Sequence, residues 1–134
     1  MRAAEYTVPA TTAGGPATLT VFYFGEGQGA SIEANLDRWL GEVRQPDGRT
    51  SRDAARIETR DVRGIRITVV DVTGIHGGMS PSGEAAPDRP NHRLLGAIAV
   101  GPRGPVFFKL TGPVETVASA DASFMELLDS LHPI

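Results

Sequence analysis

The feature that most constrains the fold is a series of alternating segments joined by very short connections. Ile57 to Val62 and Ile65 to Ile75 each alternate with a period of two, and only Arg63 and Gly64 separate them. The segments LLGAIAV and PVFFKLTG are two further strands, separated only by GPRG. Since parallel neighbours need a connection of about a dozen residues or more, these short links predict an antiparallel sheet.

The N-terminal part adds two predicted strands. The sequence alternates from Ala3 to Val8 and, more strongly, from Thr18 to Phe24. Between them, PATTAGGP has the proline and glycine content of a turn, so we expect a loose hairpin.

Two segments have helical spacing instead. The first begins at Ser31, a good N-cap, and its apolar stripe comprises Ile32, Leu36, Trp39, Leu40 and Val43. The opposite face of this helix, predicted to face solvent, carries Glu33, Asp37, Arg38 and Glu42. The second begins at Pro113, and its stripe comprises Val117, Ala120, Phe124, Leu127, Leu128 and Leu131, with a kink or fresh start allowed near Ser119. RQPDGRTSRDAA, after the first helix, is predicted to be a polar loop.

The expected fold is therefore a single α+β domain over residues 1–134. It has a roughly six-stranded antiparallel sheet with two amphipathic helices packed on it, as an α/β/α sandwich. The long segment from His76 to His92 is predicted to be a loop.

Composition excludes several functional classes. The net charge of −3 and the interspersed signs give no basic face for nucleic acid. No apolar run approaches the roughly 20 residues of a membrane span. The absence of cysteine excludes disulfides, thiolate metal sites and cysteine nucleophiles.

The glycine-rich stretch after the second strand invites comparison with nucleotide-binding loops. Gly25, Gly27 and Ala30 align with the dinucleotide fingerprint G-x-G-x-x-G/A. Glu26 and Glu33 would place negative charge beside the phosphates, and the surrounding pattern is antiparallel rather than βαβ. We therefore expect no nucleotide and no other cofactor.

Other candidate chemistry is weak. His76, His92 and His132 match no zinc spacing, even with Asp88 as an oxygen ligand, so no metal is expected and exposed loop histidines are the default. A Ser-His-Asp set from Ser80 or Ser82, His76 and Asp71 lacks a nucleophile elbow, so no catalytic residue is assigned. Lys109 alternates with Phe108 and is expected to be exposed at an edge or on a face of the sheet, with a desolvated reactive lysine as the alternative.

The stretches FYFGEGQGASIEANLDRW, NHRLLGAIAV and VFFKLTGP resemble an uncharacterised family of small bacterial proteins. The resemblance spans residues 2–131 and implies a fold like that of the photosystem PsbP subunits and the Ran-binding Mog protein. It also implies an adaptor or protein-binding role. Many members are exported or lipid-anchored, so we expect that location if further residues precede Met1, and a cytoplasmic one otherwise.

Two hypotheses follow. The first is a non-catalytic interaction or scaffold module with a protein partner, which presents the glycine loop and the 76–92 loop. The second is a small-ligand binder or enzyme with a site between helix 31–43 and the sheet. The candidate binding residues are Tyr23, Asn35, Trp39, His76 and His92. Trp39 is otherwise expected in the core, and Asn35 is expected to hydrogen-bond the glycine loop.

Overall fold

The computed structural model describes residues 2–9, 15–23, 32–48, 50–76, 89–101 and 104–131. The strands in chain order are β1 (Arg2–Val8), β2 (Ala17–Tyr23), β3 (Val43–Arg44), β4 (Arg56–Val62), β5 (Ile65–His76), β6 (Arg89–Gly101) and β7 (Gly104–Pro113). The helices are α1 (Ile32–Leu40), α2 (Ser51–Ala54) and α3 (Val114–Asp129). The protein is thus an α+β fold, as the sequence predicts.

All these strands form one sheet in the order β1-β2-β7-β6-β5-β3, and β4 pairs with β5 beside β3. Every pair is antiparallel, as expected from the short connections. The turn from β4 to β5 has Arg63 at φ 51° and Gly64 at φ 85°, the two positive φ values that a tight hairpin turn requires.

Each face of the sheet carries its own helix. On one face, α1 buries Leu36, Trp39 and Leu40 against apolar side chains that include Val70 and Phe107. On the other face, α3 buries Val117, Phe124 and Leu128 against the neighbouring positions of the same strands, for example Val69 and Phe108. The period of two along the strands therefore supplies two separate hydrophobic clusters. We call the two surfaces the α1 face and the α3 face.

The strands β5 and β6 extend farther than predicted. β5 continues to His76 and β6 begins at Arg89, so His76 and His92 lie on strands. Both are half-buried. For His76 and His92 the expectation of exposed loop histidines is wrong, because pairing between β5 and β6 continues to the ends of the predicted loop.

The helix predictions differ from the structure at four points. The first helix ends at Leu40, and Val43 joins the same hydrophobic cluster from strand β3. The predicted polar loop contains the short helix α2, whose N-cap Thr50 accepts a hydrogen bond from the Asp53 amide. α3 continues through Ser119, whose hydroxyl donates to the Thr116 carbonyl within the helix. Leu127 is 36% exposed and lies off the buried stripe.

Several predicted features lie outside the described residues. They are Gly25, Gly27, Ala30 and Ser31 of the glycine loop with Glu26, the interior of the N-terminal turn at 10–14, Ser80, Ser82 and Asp88, and His132.

Candidate functional site

The α1 face has a polar part beyond the end of α1. Residues opposite each other in neighbouring strands point to the same side of a sheet. Thr20 pairs with Lys109, Thr18 pairs with Thr111, and Thr111 pairs with the buried Leu94 of the α1 face. His92 lies two residues before Leu94 on β6 and shares its face. We name the half-buried set the polar face: Thr18, Thr20, Glu42, His76, His92, Lys109 and Thr111.

Glu42 is the centre of the polar face. It follows α1 in the short connection to β3, and its Oε1 accepts a hydrogen bond from Lys109 Nζ at 2.6 Å. His76 Nε2 lies 3.4 Å from the same oxygen, within reach as a second donor. The three side chains are 25%, 19% and 26% exposed, in the order Glu42, Lys109, His76. The arrangement therefore joins α1, β7 and β5 through one partly shielded carboxylate.

The surroundings of Glu42 favour its charged form. Burial alone would raise its pKa, but the hydrogen bond with His76 and the charge of Lys109 outweigh that effect, so the pKa of Glu42 is lowered from its ordinary value. The carboxylate is therefore ionised at neutral pH, and Lys109 is held in an ion pair.

This geometry corrects two predictions. Lys109 is neither at a sheet edge nor exposed, because β7 lies between β2 and β6 and Glu42 covers the ammonium group. Glu42 was placed on the solvent side of the first helix by its spacing. Since the helix ends at Leu40, Glu42 turns towards the sheet instead.

The two histidines lie side by side at the same end of the sheet. Their rings stack with centroids 6.2 Å apart and planes inclined by 23°. His92 Nδ1 lies 3.1 Å from the Pro90 carbonyl oxygen, within hydrogen-bond distance as an N–H donor.

The structure brings together only part of the predicted binding set. His76 and His92 lie on the polar face, whereas Asn35 and Trp39 are each 1% exposed beneath α1. Trp39 packs edge to face against Phe107 with ring centroids 6.2 Å apart, as expected of a core residue. Tyr23 is 40% exposed at the far end of β2 and points to the α3 face, since the preceding Phe22 packs on the α1 face.

Sequence reasoning missed Glu42 and the three threonines. The alternation of β7 did place Lys109 on the same face as Phe107, and the alternation of β2 placed Thr18 and Thr20 together. No signal in the sequence pointed from Glu42 to His76, 34 positions away.

A second ion-pair network lies on the α3 face. Arg93 binds Asp71 with two parallel hydrogen bonds of 2.8 Å and binds Asp121 of α3 at 3.2 Å. The hydrogen bonds that Arg93 donates to Asp71 raise the pKa of Arg93, and all three groups lie within regular elements. This network ties α3 to the sheet, and we assign it a structural role.

A groove opens where the pairing partner of β5 changes from β4 to β3. β5 pairs with β4 up to Asp71 and with β3 from Ile75, which leaves a gap between the two. Gln45 closes part of this gap by donating to the Thr73 carbonyl at 2.9 Å, and Ser51 donates to the Val43 carbonyl. The remaining open groove has a volume of about 800 Å³ and is lined by Gln45, Pro46, Ala54, Arg56, Asp71, Thr73, Gly74, Ile75, Pro90 and Asn91.

Two further observations bear on function within the described part of the chain. No group of three or more His, Asp or Glu side chains there is arranged to hold a metal ion. None of the helices there has the length and apolar character needed to cross a bilayer.

Comparison with known proteins supports the fold only. No protein-family model matches the chain, and no curated protein matches it. The fold is similar to that of the solved structure of PA94, a protein of unknown function and proposed regulator from Pseudomonas aeruginosa. The TM-score is 0.59 and the identity 10%, over 98% of this chain and 82% of that protein.

Proposed function

We propose that the protein is a non-catalytic interaction module that binds a partner protein on its polar face. The observation that carries this proposal is the position of its polar groups. Thr18, Thr20 and Thr111 lie on the same face of the sheet as Lys109, and all of these groups are half-buried. Because most of these groups lie on paired strands, a rigid scaffold holds them in a fixed arrangement that a partner can recognise.

The chemistry of the polar face fits a polar protein surface. It offers hydroxyl donors and acceptors, one ion pair and two imidazoles, with no single dominant charge. Such a surface would recognise a complementary polar segment and would release it when the ionic strength rises.

We further propose that the architecture is the PsbP-like or Mog-type α/β/α sandwich that the resemblance implies. A helix on each face of an antiparallel sheet supports that assignment. α2 is a short addition of four residues between β3 and β4.

The second candidate function is a small-ligand site. Its predicted location between helix 31–43 and the sheet has little support, because Leu36, Trp39 and Leu40 fill that space. The groove beside Gln45 and Arg56 has a volume in the range of small-molecule sites and is the better location for such a ligand.

Site-specific photo-crosslinking in the native host tests the first proposal. A photoreactive residue at Thr111, on the polar face, is expected to capture a partner protein that the same residue at Glu115, exposed on α3, does not capture. The purified partner should then bind the wild-type chain more tightly than a Thr111→Arg variant. Equal capture at both positions would contradict the proposed surface.

A thermal-shift screen against metabolites, nucleotides, lipids and divalent metals tests the second. A ligand at 100 times its dissociation constant adds about 2.7 kcal/mol of stability, a shift of several degrees. A shift that Arg56→Ala removes would favour the groove and a ligand-binding function.

A further inference from the structure

The strand β4 forms an outer edge of the sheet. Among the described strands it pairs only with β5, and five of its seven residues are exposed. The unpaired N–H and C=O groups of such an edge are a template for pairing with another strand. This edge shares no residue with the polar face.

The hairpin turn determines which backbone groups of β4 are free. A two-residue turn at Arg63 and Gly64 makes Val62 and Ile65 a hydrogen-bonded pair. Hydrogen-bonded and non-hydrogen-bonded pairs then alternate along the strand. The even-numbered residues of β4 therefore bond to β5, and Ile57, Thr59 and Asp61 direct their N–H and C=O groups outward.

The side chains of β4 alternate in charge on the α3 face. Arg56, Glu58 and Arg60 lie there, since they pair with Asp71, Val69 and Ile67 of β5. Two copies of β4 arranged antiparallel about a two-fold axis at Thr59 would place each Glu58 opposite the second copy's Arg60. In the same register the outward groups of Ile57, Thr59 and Asp61 face one another and can form hydrogen bonds.

Neighbouring registers lack this complementarity. An axis at Glu58 would place Glu58 opposite Glu58 and Arg56 opposite Arg60, and an axis at Arg60 would oppose two arginines. Like charges directly opposite each other destabilise a strand pair. Only the register about Thr59 pairs all seven residues of β4, keeps paired side chains on the same side of the sheet, and forms two opposite-charge pairs.

The two charged groups are available for this contact. The side chain of Glu58 has no hydrogen-bond or ion-pair partner among the described residues, and it is exposed. Arg60 binds Asp129 through Nη1 at 3.0 Å and is 34% exposed, so its other nitrogens can still donate. On the opposite face the register sets Ile57 against Asp61, a pair that adds no attraction.

We propose that the chain self-associates through β4, which pairs antiparallel with the β4 of a second copy about a two-fold axis at Thr59 and continues the sheet across both molecules. The contact is one strand wide, so the association is weak. Its specificity comes from the two Glu58–Arg60 pairs, which lie in non-hydrogen-bonded positions where side chains are closest.

Sedimentation equilibrium over a concentration series tests the proposal. We expect the mean mass to rise from monomer towards dimer between about 10 µM and about 1 mM. Glu58→Arg should weaken association about tenfold, because two attractive pairs become repulsive. Glu115→Arg makes the same charge change far from β4 and should leave association unchanged.

Mixing two variants identifies the register. Glu58→Arg and Arg60→Glu should each self-associate poorly, but an equimolar mixture should form the mixed dimer, in which every cross-strand pair is again opposite in charge. Amide exchange followed by NMR should show added protection at Ile57, Thr59 and Asp61 only in the dimer. A monomer throughout the series, a dimer insensitive to Glu58→Arg, or variants that do not rescue each other would overturn the proposal.

Discussion

Two parts of the α1 face use the same strands in opposite ways. Under α1, Trp39 and Leu36 are buried among apolar side chains, and the ring of Trp39 lies directly over Gly96. Beyond the end of α1, the neighbouring positions carry Glu42 and Lys109 in a half-buried ion pair. Lys109 is only two residues from Phe107 on β7, so one strand contributes to both parts.

The difference separates a part of the α1 face that carries stability from the part that we propose for recognition. Large buried aromatic groups dominate the energetics of a core, whereas a partly exposed ion pair contributes less. We therefore expect substitutions under α1 to act on the free energy of unfolding. Substitutions on the polar face should act mainly on binding.

The largest effect is expected for Trp39→Ala. Removal of the ring leaves a cavity between α1 and the sheet and should lower the free energy of unfolding by about 3–5 kcal/mol. Urea denaturation followed by far-UV circular dichroism measures this loss. Leu127→Ala, on the exposed side of α3, is the control and should cost much less. A stable Trp39→Ala variant would remove the distinction between the two parts.

Gly96→Ala should have the next largest effect. An added Cβ would lie 2.5 Å from the Trp39 ring, so the helix must shift away from the sheet. We expect a loss of about 1–3 kcal/mol in urea denaturation. In a Trp39→Phe background the same substitution should cost less, because the smaller ring leaves room for the methyl group. Equal costs in both backgrounds would show that Trp39 does not press on Gly96.

Glu42→Gln should have a smaller, pH-dependent effect. The loss of the ion pair leaves Lys109 partly buried without its counter-charge and should cost about 1–2 kcal/mol at pH 7. Because folding lowers the pKa of Glu42 from its ordinary value of 4.5, its stabilisation is present above that pH and is lost as the pH falls through the folded-state pKa.

Parallel urea titrations of wild type and Glu42→Gln between neutral and acidic pH measure this difference. The free energies of unfolding of the two proteins should become similar at a pH below 4.5. Asp61→Asn is a matched control, since Asp61 is 67% exposed and lies 4.0 Å from Arg66. A difference that persists unchanged in acid would mean that the carboxylate charge is not responsible.

The smallest effect on stability is expected for His92→Ala. The ring is half-buried at the end of the sheet and contacts His76 only by stacking, so its removal should cost about 0.5–1.5 kcal/mol at most. Thermal unfolding measures this loss of stability. The affinity for the captured partner measures the effect on binding. A large loss of stability with unchanged binding would assign His92 to the core.

Much of the sheet could be predicted from the sequence. The short connections at Arg63–Gly64 and at GPRG left antiparallel pairing as the simplest arrangement, and the alternation along β5 and β7 identified their faces. The end of α1 could not be predicted from periodicity alone. Val43 falls on the helical stripe and is buried, but it reaches the core from β3.

The candidate site was predicted less well. His76 and His92 were recognised as candidates but placed in a loop, because the GGMSPSGEAAPD composition between them hides the continuation of both strands. Glu42 was predicted to face solvent, because a helix that continued to Val43 would place it opposite the apolar stripe. Its contact with Lys109 joins residues 67 positions apart, and no local pattern reports such a separation.

The sequence by itself determined the α+β class, the antiparallel pairing and the burial of Trp39, because turn length and side-chain periodicity are local properties. Tertiary structure alone decided three features. The strand β5 pairs with β4 along one part and with β3 along another, α1 ends before Glu42, and the side chains of Glu42, His76 and Lys109 meet. Those outcomes depend on which surfaces pack together. A carboxylate, an imidazole and an ammonium group from three separate elements acquire their shared environment only when the sheet and its helix are assembled.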